Sequence, residues 1–419
     1  MLLKINNVGR LKNAEVKING ITVICGNNNT GKSTVGKILY CIYSSLHDLY
    51  ASIREDKKES IRRSISYAIR SPEKGYLVSS EILEYISKTL DNEITSKTLI
   101  DTVMKICGID KTEIDKAELS SRIDSILATS TDDMVCNFIA RRVEAEFGQG
   151  LGNVNHPRSK VSLELTIKNE AIKICSSGTS EKLIAEKFFS LDKNIIYIDD
   201  PFIIDDLNTY IYLTAREDKY RHRYNMLNMV AGMYREKRTS AEEIIASHKL
   251  ERVIKNINSV SDGDLVREGS KFMYKHSRLK KSLNLHSVST GIKTFIIIKK
   301  LLLDGILEEN GIMILDEPEV HLHPEWQIKF AEIIVLLQKA YGLNIILTTH
   351  SMDFLSAIEY FSQKNGIEEV CSYYLTELKE AKKPDDFPYA VMCEMNSDKE
   401  KLYASISEPF LSLYKQMND

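Results

Sequence analysis

The chain has 419 residues, 56 basic against 59 acidic, and 43% of them are apolar. That is enough apolar material for a sizeable core in one large or two ordinary domains, and it excludes wholesale disorder. A net charge of −3 shows no overall basic excess, so nucleic-acid binding has to rest on a local patch. The seven cysteines are scattered and form no Cys-x-x-Cys pair, which argues against a disulfide framework or zinc site and for a reducing compartment. The start carries no long apolar core, and the most apolar run, 295–307, is cut by Lys299, Lys300 and Asp304. A cytoplasmic protein without a membrane partner is expected.

In chain order, Leu2–Ile5, Ala14–Ile18 and Ile21–Cys25 read as strands, with Asn19-Gly20 as a turn. A glycine-rich loop at 26–33 follows, then a helix whose apolar face carries Val35, Ile38, Leu39, Ile42 and Leu46. From about 45 to 156 the pattern is helical and mixed in charge, interrupted at Ser71-Pro72 and near Gly148–Asn155. Val161–Ile167 and Ala171–Cys175 predict a hairpin, and Ile195–Ile198 a short buried strand closed by Asp199-Asp200-Pro201.

A second helical stretch covers 206–258, its last helix opening on a Ser240/Glu243 capping box. None of the eight prolines lies between Pro201 and Pro318, which favours continuous elements over a linker. Leu265–Glu268 and Lys271–Lys275 predict another hairpin. Thereafter helix and strand alternate: helix Thr290–Ile306, strand Ile312–Leu315, a helix from Pro324 to just before Gly342, and strand Ile345–Leu347. Such alternation means a parallel sheet covered by helices. The expected organisation is an α/β core made of 1–44, 157–205 and 260–419, with helical insertions at 45–156 and 206–259.

Four motifs carry chemistry. Gly26-Asn27-Asn28-Asn29-Thr30-Gly31-Lys32-Ser33 fits GxxxxGK[ST], after a buried strand and opening a helix. Its backbone N–H groups and helix dipole suit phosphate, Lys32 the β- and γ-phosphates, and the Ser33 hydroxyl Mg²⁺. The predicted nucleotide site extends from Gly26 through Thr34. Ile312–Leu315 ends in Asp316, a second Mg²⁺ ligand, and Glu317, placed to deprotonate the attacking water. His350 follows the next strand, 34 positions after Asp316, at the sheet edge where such folds bind ligands, and reads as a γ-phosphate sensor. Ser289 and Gly291 lie in a hydroxyl-rich turn at a helix start, which serves either an anion or a plain serine cap.

Taken together, these parts resemble an ABC-class ATPase. The similarity is to the OLD-like and RecF-like group of AAA ATPases, related to SMC proteins, and Leu315-Asp-Glu-Pro-Glu-Val-His321-Leu-His323-Pro324 is its most specific mark. It covers roughly 1–44 and 260–355.

The resemblance implies a P-loop NTPase with an ABC-type head, a mixed sheet and helical insertions, using ATP and Mg²⁺. It also implies Glu317 as catalytic base, His350 as switch, and Ser289 and Gly291 as a signature meeting ATP on the other protomer of a homodimer or higher oligomer. His321 and His323 fall on a segment that crosses the dimer seam in that group, with a His-x-His metal site as the rival reading. The signature departs from the family in Thr290 and Ile292. No glutamine follows Ile195–Ile198, where Asp199 or Asp200 would have to substitute.

OLD-like proteins often continue into a Toprim nuclease, but only 69 residues follow His350 here, and they lack an Asp-x-Asp pair. The resemblance therefore points to an ATPase that controls a separate effector protein, in prokaryotic antiphage defence. RecF-like DNA repair or an ATP-gated scaffold is the alternative. Arg216, Lys219, Tyr220, Arg221, His222, Arg223, Tyr224, Tyr234, Arg235, Lys237 and Arg238 interleave basic and aromatic residues, and the hairpin region adds the basic Lys271, Lys275, Arg278, Lys280 and Lys281. DNA thus stays open as a partner, against a solvated or protein-binding face.

Overall fold

The computed structural model describes residues 1–69, 79–108, 114–148, 150–153, 159–176, 183–210, 220–234, 240–380 and 388–418. Two compact units divide the chain, one of residues 1–45, 139–187 and 193–419, the other of 46–138 and 188–192. Strands β1 (Leu2–Val8), β2 (Leu11–Lys17) and β3 (Ile21–Gly26) lead into helix α1 (Lys32–Leu46). The second unit holds α2 (Leu49–Ala68), α3 (Ser80–Leu90), α4 (Ser96–Cys107) and α5 (Lys116–Ala128), and α6 (Thr131–Phe147) leaves it after Phe138. Helices α3, α4 and α5 start on side-chain caps, Ser79, Thr95 and Asp115, each accepting a backbone N–H of the first turn. Ile61, Ile65, Ile86, Leu99 and Ile123 make its separate apolar core. The break expected at Ser71-Pro72 lies outside the described residues.

The first unit continues with β4 (Val161–Ile167), β5 (Glu170–Ser176), β6 (Leu183–Glu186) and β7 (Ile195–Ile198), then a 3-10 turn, Pro201–Asp206. Helices α7 (Leu207–Tyr210), α8 (His222–Val230) and α9 (Ser240–Val260) follow, and the side chains of the expected Ser240/Glu243 cap lie outside the described residues. The remaining elements are β8 (Gly263–Glu268), β9 (Lys271–His276), β10 (Leu283–Asn284), α10 (Thr290–Leu303), β11 (Ile312–Asp316), α11 (Pro324–Tyr341), β12 (Asn344–Thr349), α12 (Met352–Asn365), β13 (Cys371–Lys379), β14 (Tyr389–Glu394) and α13 (Lys399–Asn418). Helix α10 stops three residues before the expected Ile306. Gly305, at φ 77°, and Ile306 donate back to Leu302 and Leu301 and close the helix.

Among the described residues the main sheet runs β6-β5-β4-β1-β2-β14-β13-β3-β12-β11-β7, and β10-β9-β8 form a small second sheet. The five strands from β13 to β7 are parallel, whereas β1, β2, β4, β5 and β6 pair antiparallel as a wing. Strands β3 and β7 are buried at every position, as the apolar runs require of strands covered on both faces. Helices α10, α11 and α12 pack through edge-to-face and stacked rings of Phe295, Phe330 and Phe354. Leu250, Val253 and Ile257 of α9 join the same core. The carboxyl ends of β3, β12, β11 and β7 stand side by side, and those of β3 and β11 lead directly into the phosphate loop and Asp316.

Candidate functional site

The loop after β3 starts at Gly26, whose φ of 141° favours glycine. A Cβ there would lie 2.1 Å from Thr376 Oγ1 of β13. That hydroxyl donates to the Cys25 carbonyl at 3.0 Å and meets Thr30 Oγ1 at 2.6 Å, while Thr30 Oγ1 donates to the Asn27 carbonyl. Thr30 therefore pins the loop from inside. Lys32 is 4% exposed and donates to the Gly26 and Asn27 carbonyls at 3.0 and 2.9 Å. Burial lowers its ammonium from the ordinary value, opposed by the carboxylates of Glu317 and Asp316.

A cavity of about 570 Å³ opens on this loop. Asn28, Asn29, Gly31, Lys32, Ser33 and Thr34 line it, joined by Glu317 from the end of β11 and by Gly9 and Arg10 from the β1–β2 turn. Gly26, Asn27 and Thr30 hold the loop's shape and are not lining residues. Arg10 was not legible as a site residue in the sequence, because it is a lone arginine in a two-residue turn.

Asp316 gathers three hydroxyls. Its Oδ1 accepts from Ser33 Oγ at 3.0 Å and from Thr348 Oγ1 at 2.6 Å, and its Oδ2 from Tyr197 Oη at 3.2 Å. Mg²⁺ prefers oxygen ligands, takes one or two carboxylates, and completes its shell with phosphate oxygens and water. The converging Ser33 hydroxyl and Asp316 carboxylate fit that donor set.

Glu317 has φ 49°, a left-handed conformation that costs a non-glycine residue roughly 1–2 kcal/mol. Its N–H is held by Thr348 Oγ1 at 2.9 Å. Its Oε1 lies 2.6 Å from His350 Nε2 and 3.8 Å from Lys32 Nζ, so the carboxylate is within hydrogen-bond reach of the imidazole. Below them Glu319 is 4% exposed, and its Oε1 accepts from Thr349 Oγ1 at 2.5 Å and from the His350 N–H at 3.0 Å. Burial raises the Glu319 carboxyl, a shift these donors oppose. Glu319, Thr348 and Tyr197 escaped the sequence reading because each sits in or beside an apolar strand. A hydroxyl inside an otherwise buried strand is the signal that marks Thr348 and Tyr197.

Ser289 and Gly291 are not among the residues lining this cavity. Ser289 stands exposed at the N-cap of α10, and its hydroxyl makes no cap hydrogen bond, so the plain-cap reading does not hold. Gly291 sits at a close approach, where a Cβ would lie 3.0 Å from Trp326 and 3.1 Å from the His321 carbonyl. His321 packs edge-on to Phe202, and His323 caps α11 by accepting the Glu325 N–H.

Asp199 and Asp200 do not reach this cavity's lining. Asp199 is bound by Arg223 at 2.9 Å and lies 3.1 Å from His222 Nε2, and Asp200 caps the 3-10 turn at the Phe202 N–H. The basic patch is altered accordingly. His222 and Arg223 are held by internal carboxylates, Tyr220 Oη accepts from Arg141, and Arg216, Lys219, Arg235, Lys237 and Arg238 lie outside the described residues. Lys271, Lys275, Arg278, Lys280 and Lys281 are exposed.

A phosphate-binding loop on a central parallel strand, with an acidic strand end one strand removed, defines an α/β protein of the P-loop NTPase class. The sequence matches the AAA ATPase domain family over residues 1–355, and the chain belongs to that family. Among solved structures it is similar to an SMC head bound to the C-terminal winged-helix domain of ScpA (TM-score 0.42, 10% identity, 95% of this chain and 98% of that one). It is also similar to the SMC head domain from Thermotoga maritima (TM-score 0.40, 10% identity, 94% and 97%). A third is an SMC head with an extended coiled coil bound to the C-terminal domain of ScpA, derived from Pyrococcus furiosus (TM-score 0.40, 10% identity, 96% and 98%). No helix among the described residues is long and apolar enough to cross a membrane.

Proposed function

We propose that the protein binds ATP at the 26–34 loop and hydrolyses it to ADP and phosphate, and that ATP-bridged pairing of two copies controls a separate effector protein. The observation that carries this reading is Glu317 Oε1, 2.6 Å from His350 Nε2 and 3.8 Å from Lys32 Nζ at the cavity wall. The loop amides and Lys32 take the phosphates. Ser33 and Asp316 hold Mg²⁺, which when bound neutralises charge on the β- and γ-phosphates. Glu317 accepts a proton from the attacking water, and His350 shares that proton across the hydrogen bond. Thr348 fixes the Glu317 backbone, and Glu319 fixes that of His350, so base and partner stay in register.

Ser289 and Gly291 act on the ATP of the partner protomer. An exposed hydroxyl at a helix N-terminus, with no bond to its own helix, supports that role. The OLD-like resemblance favours antiphage defence as the setting. Glu317→Gln tests the chemistry. It should keep ATP binding, lose multiple-turnover phosphate release by about 100-fold or more, and accumulate an ATP-dependent dimer in light scattering. Wild-type turnover in that variant would overturn the role of Glu317.

A further inference from the structure

Tyr197 belongs to β7, next to β11, where it is paired with Ile314. Its side chain is 2% exposed, and its Oη donates to Asp316 Oδ2 at 3.2 Å. The other oxygen, Oδ1, accepts from Ser33 and Thr348. The two carboxylate oxygens thus have separate donors, and turning the group would leave a buried hydroxyl unpaired.

Helix α1 passes this position at Gly36, packed more tightly on Ile314 than on the phenol. A Cβ on Gly36 would lie 3.4 Å from Tyr197 Oη and 3.0 Å from Ile314 Cγ2. The ring of Tyr197 stacks on His222, with centroids 4.3 Å apart and planes 23° apart. His222 is 5% exposed and is itself fixed from three directions. Its Nδ1 lies 2.7 Å from Glu146 Oε2, its Nε2 3.1 Å from Asp199 Oδ2, and its N–H donates to Glu146 Oε1 at 2.6 Å. A rigid stack therefore ends on one oxygen of one carboxylate.

We infer that Tyr197 is a positioning residue for Asp316: it holds Oδ2, keeps Oδ1 turned toward Ser33, and so sets the affinity of the site for a divalent cation. His222, clamped by Glu146 and Asp199, is the platform that aims the phenol. The inference rests on reading Ser33 and Asp316 as the Mg²⁺ pair.

Tyr197→Phe removes the hydroxyl and keeps the ring on its platform. Wild type and variant are titrated with a fluorescent ATP analogue with and without Mg²⁺, and Mn²⁺ binding to the ADP-loaded proteins is read by electron paramagnetic resonance. Metal-free nucleotide affinity should stay within about twofold, while the Mn²⁺ dissociation constant rises about tenfold or more. A merely structural role would weaken both together, and that outcome overturns the inference. So does an unchanged Mn²⁺ affinity in Tyr197→Phe when wild type binds Mn²⁺ with ADP. If wild type binds no Mn²⁺ with nucleotide, the reading of Ser33 and Asp316 fails instead, and the inference with it. Should Tyr197→Phe not fold, His222→Gln takes away the ring on which the phenol is stacked. The same selective loss of Mn²⁺ affinity supports the inference, and its absence overturns it.

Discussion

Lys293 lies one turn inside α10, and its Nζ meets both oxygens of Asp205, at 2.7 and 2.6 Å. The side chains are 2% and 14% exposed, so this is a buried ion pair tying the start of α10 to the 3-10 turn after β7. Breaking such a pair from one side costs about 3–5 kcal/mol, because the remaining charge has no partner. For Lys293→Met the lower end applies, since Asp205 keeps His286 Nδ1 at 3.6 Å and some contact with solvent. Loss of the ammonium over the Phe202 ring, 4.9 Å from its centroid, adds a fraction of a kcal/mol to that. The expected cost is about 3 kcal/mol, roughly a hundredfold in the folding equilibrium.

Lys293→Met with Asp205→Leu removes both charges and should recover to within about 1 kcal/mol of wild type, because two buried desolvation penalties disappear with the attraction. Urea unfolding of the two single variants and the double variant measures the coupling directly. A cost below about 1 kcal/mol for Lys293→Met, or a double variant as weak as the sum of the singles, would refute the claim that this pair anchors the helix.

Two further outcomes follow from the same geometry. His222 is raised above its ordinary value; burial works against the rise, but Asp199 and Glu146 outweigh it. Asp199 is held down at about 2, where burial again opposes and His222 and Arg223 prevail. The His222 contribution to stability is therefore complete below the ordinary histidine value of about 6.5 and lost as pH rises through the raised one. The Asp199 contribution is complete above about 4 and lost as pH falls toward 2. Melting temperature against pH should show both limbs in wild type and lose the alkaline one in His222→Gln; an identical alkaline slope contradicts the cluster. As for assembly, Ser289→Arg should bind ATP yet hydrolyse it slowly, and Lys32→Ala should not bind it. Mixing the two should restore part of the phosphate release, because one composite site keeps an intact loop and an intact signature. No recovery at any ratio, with mixed dimers present, counts against the shared site.

The sequence alone determined the parts whose chemistry is local. GxxxxGK[ST] is contiguous, and its glycines, its lysine and the following helix cooperate within nine residues, so Lys32 and Ser33 were identifiable without a fold. The same holds for the apolar runs Ile195–Ile198, Ile312–Leu315 and Ile345–Leu347, which lie within β7, β11 and β12. Gly342, just past α11 in the left-handed conformation, likewise ends its helix where the residue pattern places the stop.

Tertiary structure decided everything that depends on which distant segments meet. Strand β13 enters the sheet beside β3 and brings Thr376 under the loop, a contact between residues 346 positions apart for Thr30. Tyr197 reads as one more apolar residue of a buried strand until its neighbour β11 turns Asp316 toward it across 119 positions. His222 looks like part of a basic surface in one dimension and becomes an internal partner of Glu146 and Asp199 in three, while Arg223 stays exposed and pairs with Asp199. Spacing along a chain encodes the period of a helix or strand, but buried polar groups are paired by whichever strand order and helix packing leave no donor unsatisfied. That choice is made by the whole core at once, and no single stretch of the sequence carries it.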